Sequence, residues 1–416
     1  MDHSLEDAGT RRCRWLQLVL VWLVYGTLGL AIRSLAPLVT PILADLGMSN
    51  GQMGLVLGAW QAMYIVVAVF AGFILDRWGA RRAILAGIFV VGCSLALRSL
   101  ARGLGSLLPA VALLGVGGPL VSIGAPKLVS EWFEGRERGL AVGIYATGPI
   151  IGSLIALSAT HPIVMPLASG SWRTVFLFYG GLAWVVSLLW LLGSRDPPGA
   201  RETAPASPLA ALRELIGVRE IRILLAMGVF EFALVHGVGS WLPKLLENAG
   251  LAPSAAGYLA ALPMATGIAA ILAVPRLTPP VRRGRVVGLF SLACAVLVAA
   301  IPQSEGGGLI TVLVLYGLCS GSLLPLLMLL VMDTPAVRVR GVGSAAGMFF
   351  CAAEIGGVGG PVIMGLLSDA TGSLASGMYL LSGCCFVLFL LAGAGRFSRY
   401  ASGSGGLPSD ATGPPG

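Results

Sequence analysis

Long apolar segments alternate with short polar loops along almost the whole chain. Each segment has about the 20 residues that a helix needs to cross the hydrocarbon core of a bilayer. The segments predict helices at residues 15–38, 53–75, 83–101, 107–130, 139–163, 172–193, 221–243, 256–274, 286–302, 309–332, 342–366 and 376–395. The pattern therefore predicts an all-α polytopic membrane protein with twelve transmembrane helices.

The composition agrees with a chain that lies mostly in lipid. Of its 416 residues, 56% are hydrophobic and only 11% are charged, and the mean hydropathy is +0.88. Twelve spans of about 20 residues use roughly 240 residues, so no large soluble domain is expected beside them. The loops carry no phosphate-binding glycine loop, nucleophile elbow or catalytic pair, and we do not predict an enzyme.

The basic residues are sorted between alternate loops. By the predicted spans, 21 of the 27 basic residues lie on the side that holds the N-terminus. The opposite side has Arg98, Arg102, Arg173 and Lys244, and two more, Arg33 and Lys127, fall inside spans. The positive-inside rule then predicts a multi-pass protein of the plasma (inner) membrane with both termini in the cytoplasm. Topology explains the net charge of +8, so we expect contacts with membrane lipid and no nucleic-acid partner.

Cysteine and histidine are too few and too scattered to suggest a metal centre. The chain has 7 cysteines and 3 histidines, without the spacing of metal ligands. We therefore expect free thiols, no metal and no cofactor.

The second half of the sequence repeats the first at an offset near 202 residues. Arg136 aligns with Arg338 at an offset of 202, and Arg81 aligns with Arg282 at 201. Such a repeat predicts two pseudo-symmetric six-helix bundles in parallel orientation. The predicted divisions are residues 1–193, a cytoplasmic linker at 194–220, residues 221–395 and a disordered cytoplasmic tail at 396–416.

The loop after the second predicted helix reads Gly-x-x-x-Asp-Arg-x-Gly-x-Arg-Arg. Its residues are Gly72, Asp76, Arg77, Gly79, Arg81 and Arg82. By itself the stretch predicts a tight reverse loop in which Gly79 supplies the turn and the arginines fix topology. It also resembles the signature of the major facilitator superfamily, and the resemblance covers nearly the whole chain. The resemblance implies that Asp76 meets a helix N-terminus and a loop arginine, in a cluster that latches the two halves on the cytoplasmic side.

A shorter stretch suggests particular branches of that superfamily. Trp241-Leu242-Pro243, followed by Gly250 and residues 255–257, is similar to cyanate and nitrate-type anion carriers. Arg33 and His236, which stand at an offset of 203, resemble the paired cations of organic-phosphate exchangers, although there both positions are arginine. The repeat predicts equivalent depths and one shared cavity, and hence an anionic substrate. The alternative is that Arg33 snorkels to the interface and His236 binds a backbone carbonyl.

Two carboxylates lie within predicted spans. Glu231 and Glu354 are ~14 and ~21 Å deep at 1.5 Å per residue, and either could carry a proton. For Glu354 an ion pair with Arg33 is an open alternative. Lys127 and Glu131, one helical turn apart at the cytoplasmic end of the fourth helix, predict a gate or a simple ion pair, and the simple pair is the default.

Three aromatic residues are the preferred apolar wall of a substrate site: Trp60, Tyr64 and Tyr145. The leading functional prediction is a monomeric secondary transporter that moves a small organic or inorganic anion by alternating access, with proton coupling. An efflux antiporter for drugs or metabolites is the first alternative, but the fourth helix has no charge over residues 107–126. A transporter-like receptor without flux is the second.

Overall fold

The computed structural model describes residues 2–196, 215–340, 342–395 and 397. Most of the predicted linker and tail lie outside the described residues, at 197–214, 396 and 398–416. Within the described part of the chain every regular element is helical and no strand is present.

In the described residues twelve helices are long and apolar enough to cross a membrane, as predicted. In the first half they are α1 (Cys13–Leu46), α2 (Asn50–Trp78), α3 (Ala80–Arg98), α4 (Leu104–Trp132), α5 (Glu137–Leu167) and α6 (Trp172–Gly193). In the second half they are α7 (Arg219–Asn248), α8 (Pro253–Leu277), α9 (Pro280–Gln303), α10 (Gly306–Asp333), α11 (Ala345–Thr371) and α12 (Ala375–Ala394).

The first helix is longer than predicted, and it is interrupted. Its regular part ends at Arg33, a short 3-10 turn covers Ala36–Leu38, and the chain continues as a helix to Leu46 rather than ending near residue 38. Pro37 explains the interruption, because proline lacks an N–H and disfavours helical geometry in the preceding residue. Arg33 is therefore the last residue of the regular part of α1, just before the interruption.

Within each half, small residues allow one pair of helices to pack closely, and the pairs in the two halves are equivalent. In the first half α5 packs on α1, where any side chain at Gly152 would collide with the carbonyl of Gly26. In the second half α11 packs on α7, where a side chain at Gly356 would collide with the carbonyl of Val229. The chain thus forms two pseudo-symmetric six-helix bundles, and glycine is needed where two backbones touch.

Arg98, predicted in a loop on the opposite side, is instead buried inside the first half. Its Nη1 atom donates to the carbonyl oxygen of Ala31 at 3.2 Å and to Ser34 Oγ at 3.1 Å, and its Nη2 atom donates to Ser94 Oγ at 3.2 Å. The last carbonyls of a helix have no partner within that helix, so a cation here satisfies the end of the regular part of α1, which stops at Arg33. Arg98 therefore fixes the segment that carries Arg33.

The two halves are in close contact near the α1–α2 turn. We call the side with Arg77, Arg81 and Arg82 the arginine-rich side, and the side with the α1–α2 turn the opposite side. Early in α2, a side chain at Gly54 would lie 2.7 Å from the carbonyl of Pro361 in α11. The central space is thus closed on the opposite side.

Candidate functional site

Arg33 reaches from the end of the regular part of α1 across to the second half. It is only 7% exposed, and its Nη2 atom donates to the carbonyl oxygen of Val235 at 3.4 Å. Its guanidinium lies on Gly239, where an added Cβ would be 2.6 Å from Cζ. Glycine at position 239 thus leaves room for the cation, which has no carboxylate partner among the described residues.

A cavity of about 200 Å³ opens beside this guanidinium, between the two halves. The first half contributes Arg33, Ile150 and Leu157, and the second half contributes the other lining residues. Such a position, at the interface of the repeats, is where transporters of inverted or parallel repeats bind their substrates.

Glu231 lines the same cavity from α7. It is 2% exposed, and its buried Oε2 atom has no hydrogen-bond partner. Positions 231, 235, 238, 239 and 242 of α7 all line the cavity, because residues three and four apart share one helix face. One face of α7 therefore carries both the carboxyl group of Glu231 and the two residues that Arg33 contacts, Val235 and Gly239.

His236 lies on the neighbouring face of α7 and does not line this cavity. Its ring packs against Trp60 with centroids 5.7 Å apart and against Phe232 at 5.5 Å. Among the described residues it has no hydrogen bond to a backbone carbonyl. Arg33 and His236 are close enough to interact electrostatically, but only the arginine is placed to meet a ligand in the cavity.

A second polar group surrounds Gly357 in α11. Gln61 Nε2 donates to the carbonyl oxygen of Gly357 at 3.1 Å. A Cβ added to Gly357 would lie 2.7 Å from Glu354 Oε2 and 3.4 Å from the His236 ring. Glu354 is 6% exposed, and its Oε2 has no hydrogen-bond partner. The ion pair between Glu354 and Arg33, left open by the sequence, does not form among the described residues.

The three predicted aromatic residues belong to one connected group in the first half. Trp60 and Tyr64 pack edge to face with centroids 6.2 Å apart, and the Tyr64 hydroxyl is 2.8 Å from Ser122 Oγ. Tyr25 donates to the Ser122 carbonyl at 3.4 Å and packs on Tyr145 at 5.6 Å. Trp60 also contacts His236, so the aromatic group adjoins the polar group around Gly357.

Three polar residues of these two sites were missed by the analysis of the sequence. Gln61 binds Gly357, and Tyr316 and Ser320 of α10 line the Arg33 cavity. Gln61 carries a detectable signal, since it is an amide in the middle of a long apolar run. A tyrosine or serine in an apolar helix has no such signal, because most of them satisfy their hydroxyl locally.

The loop signature forms contacts within the first half only. Asp76 pairs with Lys127 Nζ at 2.6 Å. Arg81 donates to Ser194 Oγ at 2.9 Å. Gly79 ends α2 with a φ of +79°, and the remaining members of the signature, Gly72, Arg77 and Arg82, are exposed. Among the described residues the signature makes no hydrogen bond or ion pair with the second half.

Lys127 and Glu131 are close enough to interact electrostatically, as the spacing predicted, but the salt bridge of Lys127 is made elsewhere. Lys127 binds Asp76 of α2 instead. The reason is geometric: Asp76 lies at the end of α2, and α2 and α4 are neighbours in the first half. The amino group therefore meets a carboxylate across the helix interface rather than one on its own helix.

On the opposite side a carboxylate does join the two halves. The Asp369 carboxylate at the end of α11 accepts the backbone N–H groups of Asn50 at 3.0 Å and Gly51 at 2.8 Å, in the first turn of α2. Asn50 Nδ2 also donates to Ser368 Oγ at 3.1 Å. Thr40 of α1 donates to the Glu247 carboxylate of α7. A negative charge at a helix N-terminus stabilises this closed arrangement.

Replacing Asp369 with asparagine is expected to loosen the closure. The charge contributes about 1 kcal/mol at an exposed helix N-terminus, so we expect backbone amides at the closed interface to exchange with deuterium about fivefold faster. Hydrogen–deuterium exchange with mass spectrometry would measure this at the start of α2 and around Glu247.

The matched control is Asp45→Asn, because Asp45 pairs with Arg173 within the first half. It should leave exchange around Glu247 unchanged. A faster exchange in Asp369→Asn that is confined to Asn50 and Gly51 would mean a purely local contact, and would contradict the role in closure.

Chemically, the site offers one buried cation, two buried carboxyl groups and a small apolar cavity. Groups of histidine, cysteine and acidic residues able to hold a metal ion are absent from the described residues. The free guanidinium is suited to a carboxylate or a similar anion, and the two carboxyl groups are close enough to interact electrostatically.

Known proteins of similar sequence and fold are membrane transporters. A family profile described as Major Facilitator Superfamily matches residues 21–353. An uncharacterised transporter, YycB, of Bacillus subtilis is 24% identical and covers 91% of this chain and 94% of its own length. The D-galactonate transporter of Escherichia coli is 23% identical, with coverage of 91% and 95%. The solved structure of a bacterial homologue of the human lysosomal transporter Spinster superposes with a TM-score of 0.74 at 18% identity, covering 94% of this chain and 97% of that one.

Proposed function

The chain belongs to the Major Facilitator Superfamily, and on that premise we propose that it is a secondary active transporter of a small anion, driven by protons and working by alternating access. The observation that carries the proposal is the Arg33 cavity. A buried guanidinium without a carboxylate partner costs free energy in the empty protein, and an anionic ligand offsets that cost. The relative that transports D-galactonate, an organic anion, supports the same class of substrate.

Proton coupling follows from the balance of charge. Glu231 lines the Arg33 cavity and Glu354 is close enough to Glu231 to interact with it, so these three groups together are neutral when one of the two carboxyl groups is protonated. An anion then brings one further negative charge into a region of low polarity, where it is costly unless a proton accompanies it. We therefore assign both carboxyl groups to proton coupling, with about one proton taken up for each anion.

The remaining parts of the proposal concern the cycle and its setting. Residues 1–193 and 221–395 rock about the central site, and Asp76 with its neighbouring signature residues latches the arginine-rich side when that side closes. Trp60, Tyr64 and Tyr145 form an apolar wall next to His236. The arginine count of the loops places both termini in the cytoplasm, in the plasma (inner) membrane, with anionic lipid around the basic loops and the protein acting as a monomer.

The proposal is tested by thermal-shift titration of the purified full chain in detergent. The anionic probes are acetate, hexanoate, nitrate, cyanate and glycerol 3-phosphate, and the cationic probe is tetraphenylphosphonium. A ligand at 100 times its dissociation constant stabilises the folded protein by about 2.7 kcal/mol, so we expect a raised Tm with at least one anion. Stabilisation by tetraphenylphosphonium alone would overturn the anion proposal and favour drug efflux.

A further inference from the structure

The walls of the Arg33 cavity are poor in hydrogen-bonding groups. Apart from the guanidinium, the polar side chains that line it are Glu231, Tyr316 and Ser320. All other lining residues are apolar or glycine: Ile150, Leu157, Val235, Val238, Gly239, Leu242, Ala260, Pro263, Met264, Gly267, Ile271, Gly321 and Leu324. A ligand hydroxyl buried against such walls would lose its hydrogen bonds to water without replacement.

The apolar walls include a strip along one helix. Pro263, Met264, Gly267 and Ile271 line the cavity from one face of α8. At 1.5 Å per residue this strip is ~12 Å long. Of the polar groups, the Tyr316 hydroxyl is close enough to interact with the guanidinium, whereas Glu231 lies about 12 Å along α7 from Gly239. The cavity therefore has one cation and walls that are mostly apolar.

The single cation also limits the number of negative charges on the ligand. Arg33 is the one cation among the lining residues, and Glu231, which lines the same cavity, disfavours a second carboxylate. A dianion would place an unpaired charge against the strip of α8. A small inorganic anion would satisfy the guanidinium but would leave that strip without a ligand.

We propose that the substrate is a monocarboxylate with an apolar body. Its carboxylate binds the Arg33 guanidinium, and its hydrocarbon part lies along α8 between Pro263 and Ile271. This inference rests on the proposed function, because it presupposes that the cavity binds an anion. It departs from the substrate of the D-galactonate relative, which is a polyhydroxylated acid.

A matched pair of six-carbon acids tests the inference. Hexanoate and gluconate carry the same charge and the same number of carbon atoms, but gluconate has five hydroxyl groups. Isothermal titration of the full chain in detergent is expected to show hexanoate binding at least about 30-fold more tightly than gluconate, because the hydroxyls would be desolvated without partners. Equal or tighter binding of gluconate, or binding of neither acid, would overturn the inference.

Hexylammonium separates this inference from the function on which it rests. It has the same hydrocarbon chain as hexanoate but the opposite charge. Binding of hexylammonium with no binding of acids, nitrate or glycerol 3-phosphate would overturn both proposals. Binding of gluconate, nitrate or glycerol 3-phosphate in preference to hexanoate would remove the apolar substrate and leave anion transport standing.

A variant of the wall checks where the hydrocarbon lies. Met264→Gln keeps the length of the side chain but makes it polar, and is expected to weaken hexanoate binding about tenfold while acetate binding stays unchanged. Retained acetate binding also shows that the variant is folded. The matched control, Met332→Gln, changes an exposed methionine outside the cavity. An unaltered affinity of Met264→Gln for hexanoate would contradict the assigned position.

Discussion

Replacing Arg33 with glutamine is expected to weaken hexanoate binding by at least about 100-fold, because removal of one partner of a buried charge pair costs a few kcal/mol. Glutamine keeps the polar character of the side chain but removes the charge and the fork of donors. Isothermal titration would measure the change, and Arg33→Lys should lose less, because a lysine keeps the charge without the fork.

The same variant should be at least as stable as the native protein without ligand. The guanidinium has a single hydrogen bond, to Val235, and no carboxylate partner among the described residues, so its burial is a cost in the empty state. A fall in Tm together with weaker binding would point to misfolding instead. Arg102→Gln, on an exposed loop residue, is the matched control, and native-like binding in Arg33→Gln would exclude the guanidinium as the anion ligand.

Replacing Glu231 with glutamine is expected to reduce the proton uptake that accompanies hexanoate binding, because only Glu354 remains to take up a proton. In the native protein the bound anion favours a neutral Glu231, so the apparent affinity should rise as the pH falls, by up to about tenfold per pH unit for one proton. In Glu231→Gln the affinity should change less with pH. The number of protons is measured from the dependence of the binding enthalpy on the ionisation enthalpy of the buffer.

Two further variants make this result specific. Glu354 lies beside Gly357 and does not line the cavity, so Glu354→Gln should retain more of the proton uptake than Glu231→Gln. Glu305→Gln changes an exposed carboxylate on the α9–α10 turn and should behave as the native protein. Unchanged proton uptake in Glu231→Gln would contradict its role in coupling.

The helices were predictable from the sequence because each requires a long apolar run, whereas residues at the ends of these runs were not. Arg98 follows an apolar segment and precedes a polar loop, which is the usual setting of an exposed residue. Its burial depends on the break of α1 before Pro37, where the carbonyl of Ala31 accepts Arg98, 67 positions away, as well as the local Ser34 hydroxyl. Lys127 likewise binds Asp76, 51 positions away, a choice that helix packing makes and local spacing does not.

The charged residues of the candidate site could be predicted from the sequence, because Arg33, Glu231 and Glu354 stand out in apolar helices. The direction in which each side chain points could not, because a shift of one residue along a helix turns that direction by about 100°. The offsets of the repeat range from 201 to 203, which is too broad to fix that direction. An offset of 203 pairs Arg33 with His236, whereas 202 pairs it with Val235, the residue whose carbonyl it binds.

The hydrogen bond between Arg33 and Val235 crosses the boundary between the two halves. Arg33 belongs to the first half, where Arg98 holds the adjacent end of the helix. Most of the cavity wall around Arg33 belongs to the second half. Separation of the halves on the opposite side must break this bond, and a bound anion would then stay with the guanidinium while its hydrocarbon leaves the wall of α8. A bound ligand therefore contacts both halves at once, and the affinity of the protein for it depends on the distance between the halves.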